Sequence, residues 1–213
     1  MHLRRKFVAL AIGLLWVGTV TAQPKDMRFV IVLIGPPGSG KTTQSEFLKK
    51  TFGTPTITVE DLIRSHPAAL AKYETDGIRP GTPQSNPALN DLVRDALSGL
   101  DLTKGVVLDG YPASKDQADH LAALVRKLGL PSPVVIQLDI SDDLARERLK
   151  VRGRADDNPE VIARRLKDYH RELETIRSYY PQANIWTVDG SLAPAQVSQT
   201  IQSILKDEIP KKL

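Results

Sequence analysis

The chain has 213 residues, with 41% hydrophobic and 25% charged side chains, enough for one or two domains around a sizeable core. It has no cysteine, which excludes disulfides, thiolate catalysis and a cysteine-based zinc site. The formal net charge is +4, and much of that excess lies in the first few residues.

His2-Leu3-Arg4-Arg5-Lys6 is a basic start, Phe7 to Val20 an apolar run broken only by Gly and Thr, and Val20-Thr21-Ala22 before Gln23 a small-residue cleavage site. This is the layout of a secretory signal peptide, and the run is short for a membrane span. We expect residues 1–22 to be a leader and the protein to be periplasmic or secreted, without stable membrane insertion once cleaved. The alternatives are an uncleaved anchor or a cytoplasmic protein with a misassigned start. Removing the leader takes away three basic residues and leaves 26 against 25 acidic ones. So balanced a chain gives no reason to expect nucleic acid as a partner.

Phe29 to Ile34 is a run of six apolar residues that leads into Gly35-Pro36-Pro37-Gly38-Ser39-Gly40-Lys41-Thr42-Thr43. The pattern G-x-x-x-x-G-K-T is the phosphate-binding loop between a strand and a helix. Its glycines (Gly35, Gly38, Gly40) and Ser39 let backbone N–H groups surround phosphates. The helix beginning near Lys41 adds its positive end. Lys41 reaches the β- and γ-phosphates, and the hydroxyl of Thr42 or Thr43 suits Mg²⁺. ATP with Mg²⁺ is the expected cofactor pair.

In chain order, the first strand is expected over 27–34 and a helix over 41–52. A short strand at 56–59 precedes a helical stretch over 60–73 that His66-Pro67 interrupts. Residues 77–87 read as a Gly, Pro, Ser and Asn loop, and 88–100 as an amphipathic helix. Gly105 to Asp109 is a short buried strand ending in a carboxylate. Ser114 to Leu128 is a helix closed by Gly129, and Val134 to Asp139 the next strand. Ser141 caps a helix to about Leu149. Asn158 and Pro159 open a long helix to about Tyr180. Asn184 to Val188 is a last strand, and Pro194 to Lys206 a last helix. Strands alternating with helices predict an α/β fold of the P-loop type, a mostly parallel sheet in a three-layer sandwich. Its ligand sits at the carboxyl ends of the strands. Residues 23–213 are expected to form one P-loop domain. Within it, 59–100 is longer than a crossover needs and is the expected helical acceptor-binding insertion, and 150–158 is a short lid.

The further motifs are Asp61-Leu-Ile-Arg64, Leu108-Asp-Gly-Tyr-Pro112, Gly153-Arg-Ala-Asp-Asp157, Arg165-Leu166 and Val188-Asp-Gly190. In this order and spacing, over roughly 28–206, the chain resembles an adenylate kinase or a close nucleoside monophosphate kinase. The resemblance implies a phosphotransferase moving the γ-phosphoryl of ATP to a monophosphate, AMP first. It implies that Arg154 and Arg165 clamp phosphates alongside Lys41, with Arg152 as a helper. Asp109 would help to hold hydrated Mg²⁺, and the acids Asp156 and Asp157 would orient arginines or the lid without acting as a base. The backbone at Gly190 would meet the nucleotide base. Asp61, Arg64 and Gln117 fall on acceptor-binding positions, Gln117 on a residue that reads adenine. The enzyme is expected to be a monomer.

The acceptor half departs from the family. Val59 and Glu60 stand where Thr and Gly are usual, and Ala113 where an Arg grips the monophosphate. Thr42 stands where Gly is usual. Lys115 and Arg79 are candidates to replace the lost charge. Losing one charge-assisted phosphate contact costs on the order of 2–4 kcal/mol if uncompensated. Two alternatives therefore stay open beside the kinase: an exported nucleotide-binding module with weak or no turnover, and a P-loop kinase for another small acceptor.

Overall fold

The computed structural model describes residues 28–66, 87–154, 157–180 and 184–212. Its centre is β1 (Val30–Ile34), apolar on both faces and buried. A strand with no polar side is stable only between two covering layers, and that is where β1 lies. Val30 and Val32 pack against one apolar cluster, Ile31 and Leu33 against the other. The neighbours are β2 (Thr56–Thr58), β3 (Val106–Asp109), β4 (Val134–Asp139) and β5 (Ile185–Asp189). All pair in parallel, in the order β2-β3-β1-β4-β5.

The chain leaves β1 toward β2 on one side and later crosses to β4 on the other. A crevice at the carboxyl end of a sheet arises where the connections diverge in this way. The register brings functional residues to that end. Leu33 pairs with Asp109, Thr58 with Asp109, and Asp139 with Asp189.

The helices are α1 (Lys41–Phe52), α2 (Val59–Ser65), α3 (Pro87–Ser98), α4 (Lys115–Lys127), α5 (Asp142–Arg152), α6 (Pro159–Tyr179) and α7 (Pro194–Lys212). One face of the sheet is covered by Leu89, Val93 and Leu97 of α3, Leu121 and Leu124 of α4, and Ile176 of α6. The other is covered by Leu48 of α1 and by Val197, Ile201, Leu205 and Ile209 of α7. Ala145 and Leu149 of α5 meet Ile162 and Leu166 of α6 in a smaller cluster.

The bounds of α1 and β4 match the expectation from the sequence. Caps set others: the side chains of Ser114, Ser141 and Asn158 accept from Gln117, Leu144 and Val161 backbone N–H, starting α4, α5 and α6. Two helices run longer than expected. α5 continues to Arg152, where Gly153 ends it at φ 61°. α7 continues past Lys206 because its buried stripe does, through Ile209. β3 begins at Val106, one residue after the expected start, because Gly105 closes a 3-10 turn over Leu102–Lys104. α2 ends at Ser65, before the expected break at His66-Pro67. The expected helix beyond Pro67, the loop at 77–87 apart from Pro87, Arg79, Asp156 and the whole leader lie outside the described residues. Among the described residues, no helix is long and apolar enough to cross a membrane.

Candidate active site

The loop between β1 and α1 is built by close approach. A Cβ on Gly35 would lie 2.6 Å from Ser39 Oγ and 2.8 Å from Leu138 O, so only glycine fits there. Gly38 and Gly40 take φ of 83° and 96°, where an L side chain is strained. Ser39 N–H donates to Pro36 O at 3.1 Å and closes the turn. Gly40 is the N-cap of α1 and offers no side chain to the first-turn amides. Those amides and the helix dipole are thus directed at the loop's hollow, a geometry that favours an anion. Lys41 Nζ donates to Gly35 O at 2.8 Å and Pro36 O at 3.3 Å, so it arches over the loop. Thr42 and Thr43 follow on the same turn, exposed.

Two carboxyl groups feel Lys41. Asp109, at the end of β3, is pushed upward in pKa by burial; Lys41 opposes this, while Glu60 and Asp61 add to it. Glu172 of α6 is pushed up to about 7, chiefly by burial and further by Asp168, against the pull of Lys41 and Arg171. The sequence motifs pass over Glu172. The signal lies in helical spacing: Arg165, Asp168 and Glu172 stand at i, i+3 and i+7, on one face of α6. Asp168 is 7% exposed and accepts from Arg171 at 2.6 Å.

Arg148 was also not indicated by any motif. Its guanidinium donates to Gly190 O at 2.9 Å, to Gly38 O at 3.4 Å and to Ser191 O at 3.4 Å. It ties the phosphate loop to the turn after β5. Gly190 in turn donates to Asp139 O at 2.8 Å, and a Cβ on it would meet Ser39 O at 3.3 Å. The expected base-contacting turn therefore packs directly on the loop.

The connection from α5 to α6 is organised by Asp157. Its carboxylate, 1% exposed, accepts from Arg152 Nε at 2.9 Å and Nη2 at 2.6 Å, from the Arg154 backbone N–H at 3.1 Å, and pairs with Arg165 at 3.5 Å. The Arg152 hydrogen bonds, the Arg154 N–H and the charge of Arg165 hold its pKa below the usual carboxylate range. An ionised carboxylate in these bonds does not serve as a base. The Arg154 side chain is exposed.

At the carboxyl end of β2, Thr58 caps α2. Its Oγ1 accepts from Asp61 N–H at 3.1 Å and donates to Asp61 Oδ2 at 2.6 Å, a reciprocal box. Arg64 donates to Asp61 Oδ1 and Glu60 Oε1, both at 2.9 Å. Gln117 is 1% exposed, and its Oε1 accepts from Ala113 N–H at 2.8 Å; it braces the turn after β3. Lys115 donates to Asp119 at 2.7 Å with its ammonium 6.0 Å from the Tyr179 ring centroid, so that charge is committed elsewhere. Tyr111, 1% exposed, holds the same turn to α3 and α4 by hydrogen bonds of its hydroxyl with Asn90 at 2.8 Å and His120 at 2.9 Å.

Among the described residues, no three His, Cys, Asp or Glu side chains cluster in a way that could hold a metal by themselves.

The family model described as adenylate kinase matches residues 33–185. An adenylate kinase of Xanthomonas oryzae pv. oryzae (strain MAFF 311018) is 38% identical over 183 residues, covering 82% of this chain and 98% of that protein. An adenylate kinase of Xylella fastidiosa (strain 9a5c) is 37% identical over 179 residues, covering 80% and 96%. One of Xanthomonas campestris pv. campestris (strain B100) is 38% identical over 168 residues, covering 75% and 90%. The match takes in the phosphate loop from Gly35 onward, the Asp61–Arg64 segment and the Asp157-centred connection, so the chain belongs to the adenylate kinase family.

Proposed function

We propose that this protein is a nucleotide kinase that transfers the γ-phosphoryl group of ATP to AMP. The observation that carries the reading is the loop itself. Gly35 is locked against Ser39 and Leu138, the α1 amides carry no side-chain cap, and Lys41 is arched over the hollow.

Phosphoryl transfer needs little covalent help from the protein; it needs positioning and neutralisation of spread charge. The amides at Gly38, Ser39 and Gly40 and the first turn of α1 bind the phosphates of ATP. Lys41 exchanges its loop carbonyls for β- and γ-phosphate oxygens. Arg154 and Arg165, with Arg152, supply further positive charge, and Asp157 sets their positions. The fixed planar fork of arginine suits this role, since it meets phosphate oxygens two at a time. Arg148 keeps the Gly190 turn on the loop, where the turn's backbone faces the base.

Mg²⁺ fits this site only together with a nucleotide: Asp109, raised in pKa by burial and by two neighbouring acids, lies in the field of Lys41. Asp109 with Thr42 and Thr43 would hold it, partly through water. The ion would supply neutralising charge at the β- and γ-phosphates. We assign Arg64 to the acceptor's phosphate, with Asp61 beside it at the carboxyl end of β2 and Gln117 at the neighbouring turn.

The assay is coupled ADP formation from ATP and a panel of monophosphates on protein beginning at Gln23. Lys41-dependent turnover with AMP supports the reading. Tight nucleotide binding with no turnover on any acceptor would replace it with a binding module, and turnover on a different acceptor with the third reading. We also propose that residues 1–22 direct export and that the mature enzyme is a periplasmic or secreted monomer. N-terminal sequencing of the exported fraction, with a start near Gln23, and a monomeric mass in solution check this. Intact residues 1–22 on cytoplasmic protein would refute export.

A further inference from the structure

Among the described residues of the proposed acceptor side, three carboxyl groups lie near one another. Asp109 ends β3, and Glu60 and Asp61 start α2 beside it; a Cβ on Gly110 would touch Val59 at 3.5 Å, so the two segments are in contact. Both acids act on Asp109 electrostatically. Among the described residues of these two segments the positive charge is Arg64, while Lys41 acts on Asp109 from the loop. Ala113 is neutral, and Lys115 belongs to Asp119.

Asp61 has a structural task, since it closes the cap with Thr58. Glu60 has none of that kind. Its side chain is 69% exposed, and among the described residues its hydrogen bond is to Arg64 at 2.9 Å. An exposed ion pair one helical turn apart contributes little to stability. What it does is occupy one nitrogen of the Arg64 fork with a carboxylate, an anion of the same geometry that a phosphate would offer.

We propose that Glu60 is a specificity-determining residue of the acceptor site: it competes with the acceptor's phosphate for Arg64 and repels it, lowering the affinity for nucleoside monophosphates. The inference rests on the assignment of Arg64 to the acceptor phosphate made above. An incoming dianion must detach Arg64 from Glu60 and then remain near that carboxylate. A neutral nucleoside meets neither obstacle.

The test uses Glu60→Gln and Glu60→Gly in the full mature chain, with AMP and adenosine as calorimetric probes and AMP and ATP KM from kinetics. Removing one nearby unit charge at a protein surface should tighten AMP binding about tenfold. Adenosine affinity and ATP KM should not change, and the AMP gain should shrink in high salt. A gain shared equally by adenosine would make Glu60 a packing or folding residue and overturn the proposal. So would unchanged AMP affinity in both variants, or no AMP binding by any of the proteins. Tighter AMP binding in the variants without any phosphoryl transfer would refute the kinase reading and leave the role of Glu60 standing.

Discussion

Asp157 and Arg152 face each other as a two-toothed pair, Nε to Oδ2 at 2.9 Å and Nη2 to Oδ1 at 2.6 Å. The same carboxylate also receives the Arg154 backbone N–H and pairs with Arg165. One acid thus ties α5 to α6 and holds the side chains of Arg152 and Arg165 and the backbone of Arg154. Asp157→Asn keeps the size and removes the charge. We expect kcat to fall about 10–100-fold, on the scale of lost positioning, with a smaller change in ATP affinity. Steady-state kinetics over both substrates checks this.

The same pair has a pH signature. The folded pKa of Asp157 lies below the unfolded value, so its contribution is complete above about pH 4 and is lost as pH falls through the folded pKa. Melting curves of wild type and Asp157→Asn should differ at neutral pH and converge in acid.

Glu172 has the opposite sign. Its carboxyl, raised to about 7, stays protonated in the fold while the unfolded chain has already released its proton. Between the ordinary glutamate value of about 4.5 and about 7 the protein therefore loses stability as pH rises. In Glu172→Gln that loss should vanish. The melting temperature of the variant should pull ahead of wild type across this interval and keep a constant lead above it. A constant difference at all pH values would contradict the assignment.

Arg148 joins Gly38, Gly190 and Ser191 through their carbonyls. Arg148→Ala should raise the KM for ATP and leave that for AMP unchanged. Hydrogen bonds from a charged donor contribute roughly 1.5–3 kcal/mol, less at this partly exposed site, so thermal stability should fall by on the order of 1 kcal/mol.

The parts of the fold that repeat local rules were legible in the chain. Six apolar residues entering a glycine turn define β1, the loop and the start of α1; Asn158-Pro159 defines the start of α6. The end of α7 was not, because it depends on Ile209 reaching the α1 side of the core, a tertiary fact. Candidate site residues inside motifs could be proposed from the chain, Lys41 from the loop's spacing and Asp109 and Arg165 from the family resemblance. Arg148 could not, since it acts on backbone carbonyls up to 110 residues away. The perturbation of Glu172 could not either, since it comes chiefly from burial, a tertiary fact that Lys41 of another element only opposes. Spacing alone also did not show the Lys115 contact with Asp119, an exposed pair one helical turn apart.

The central claim is that Lys41 over the Gly35–Gly40 loop drives phosphoryl transfer to a monophosphate. Its most direct measurement is ADP formation from ATP and AMP by the mature protein, against Lys41→Met at equal nucleotide saturation. We predict a loss of at least about a thousandfold in kcat/KM for the variant, as expected when a main source of transition-state charge stabilisation is removed. Equal rates in the two proteins, or no ADP from either with AMP or any other monophosphate, would contradict it.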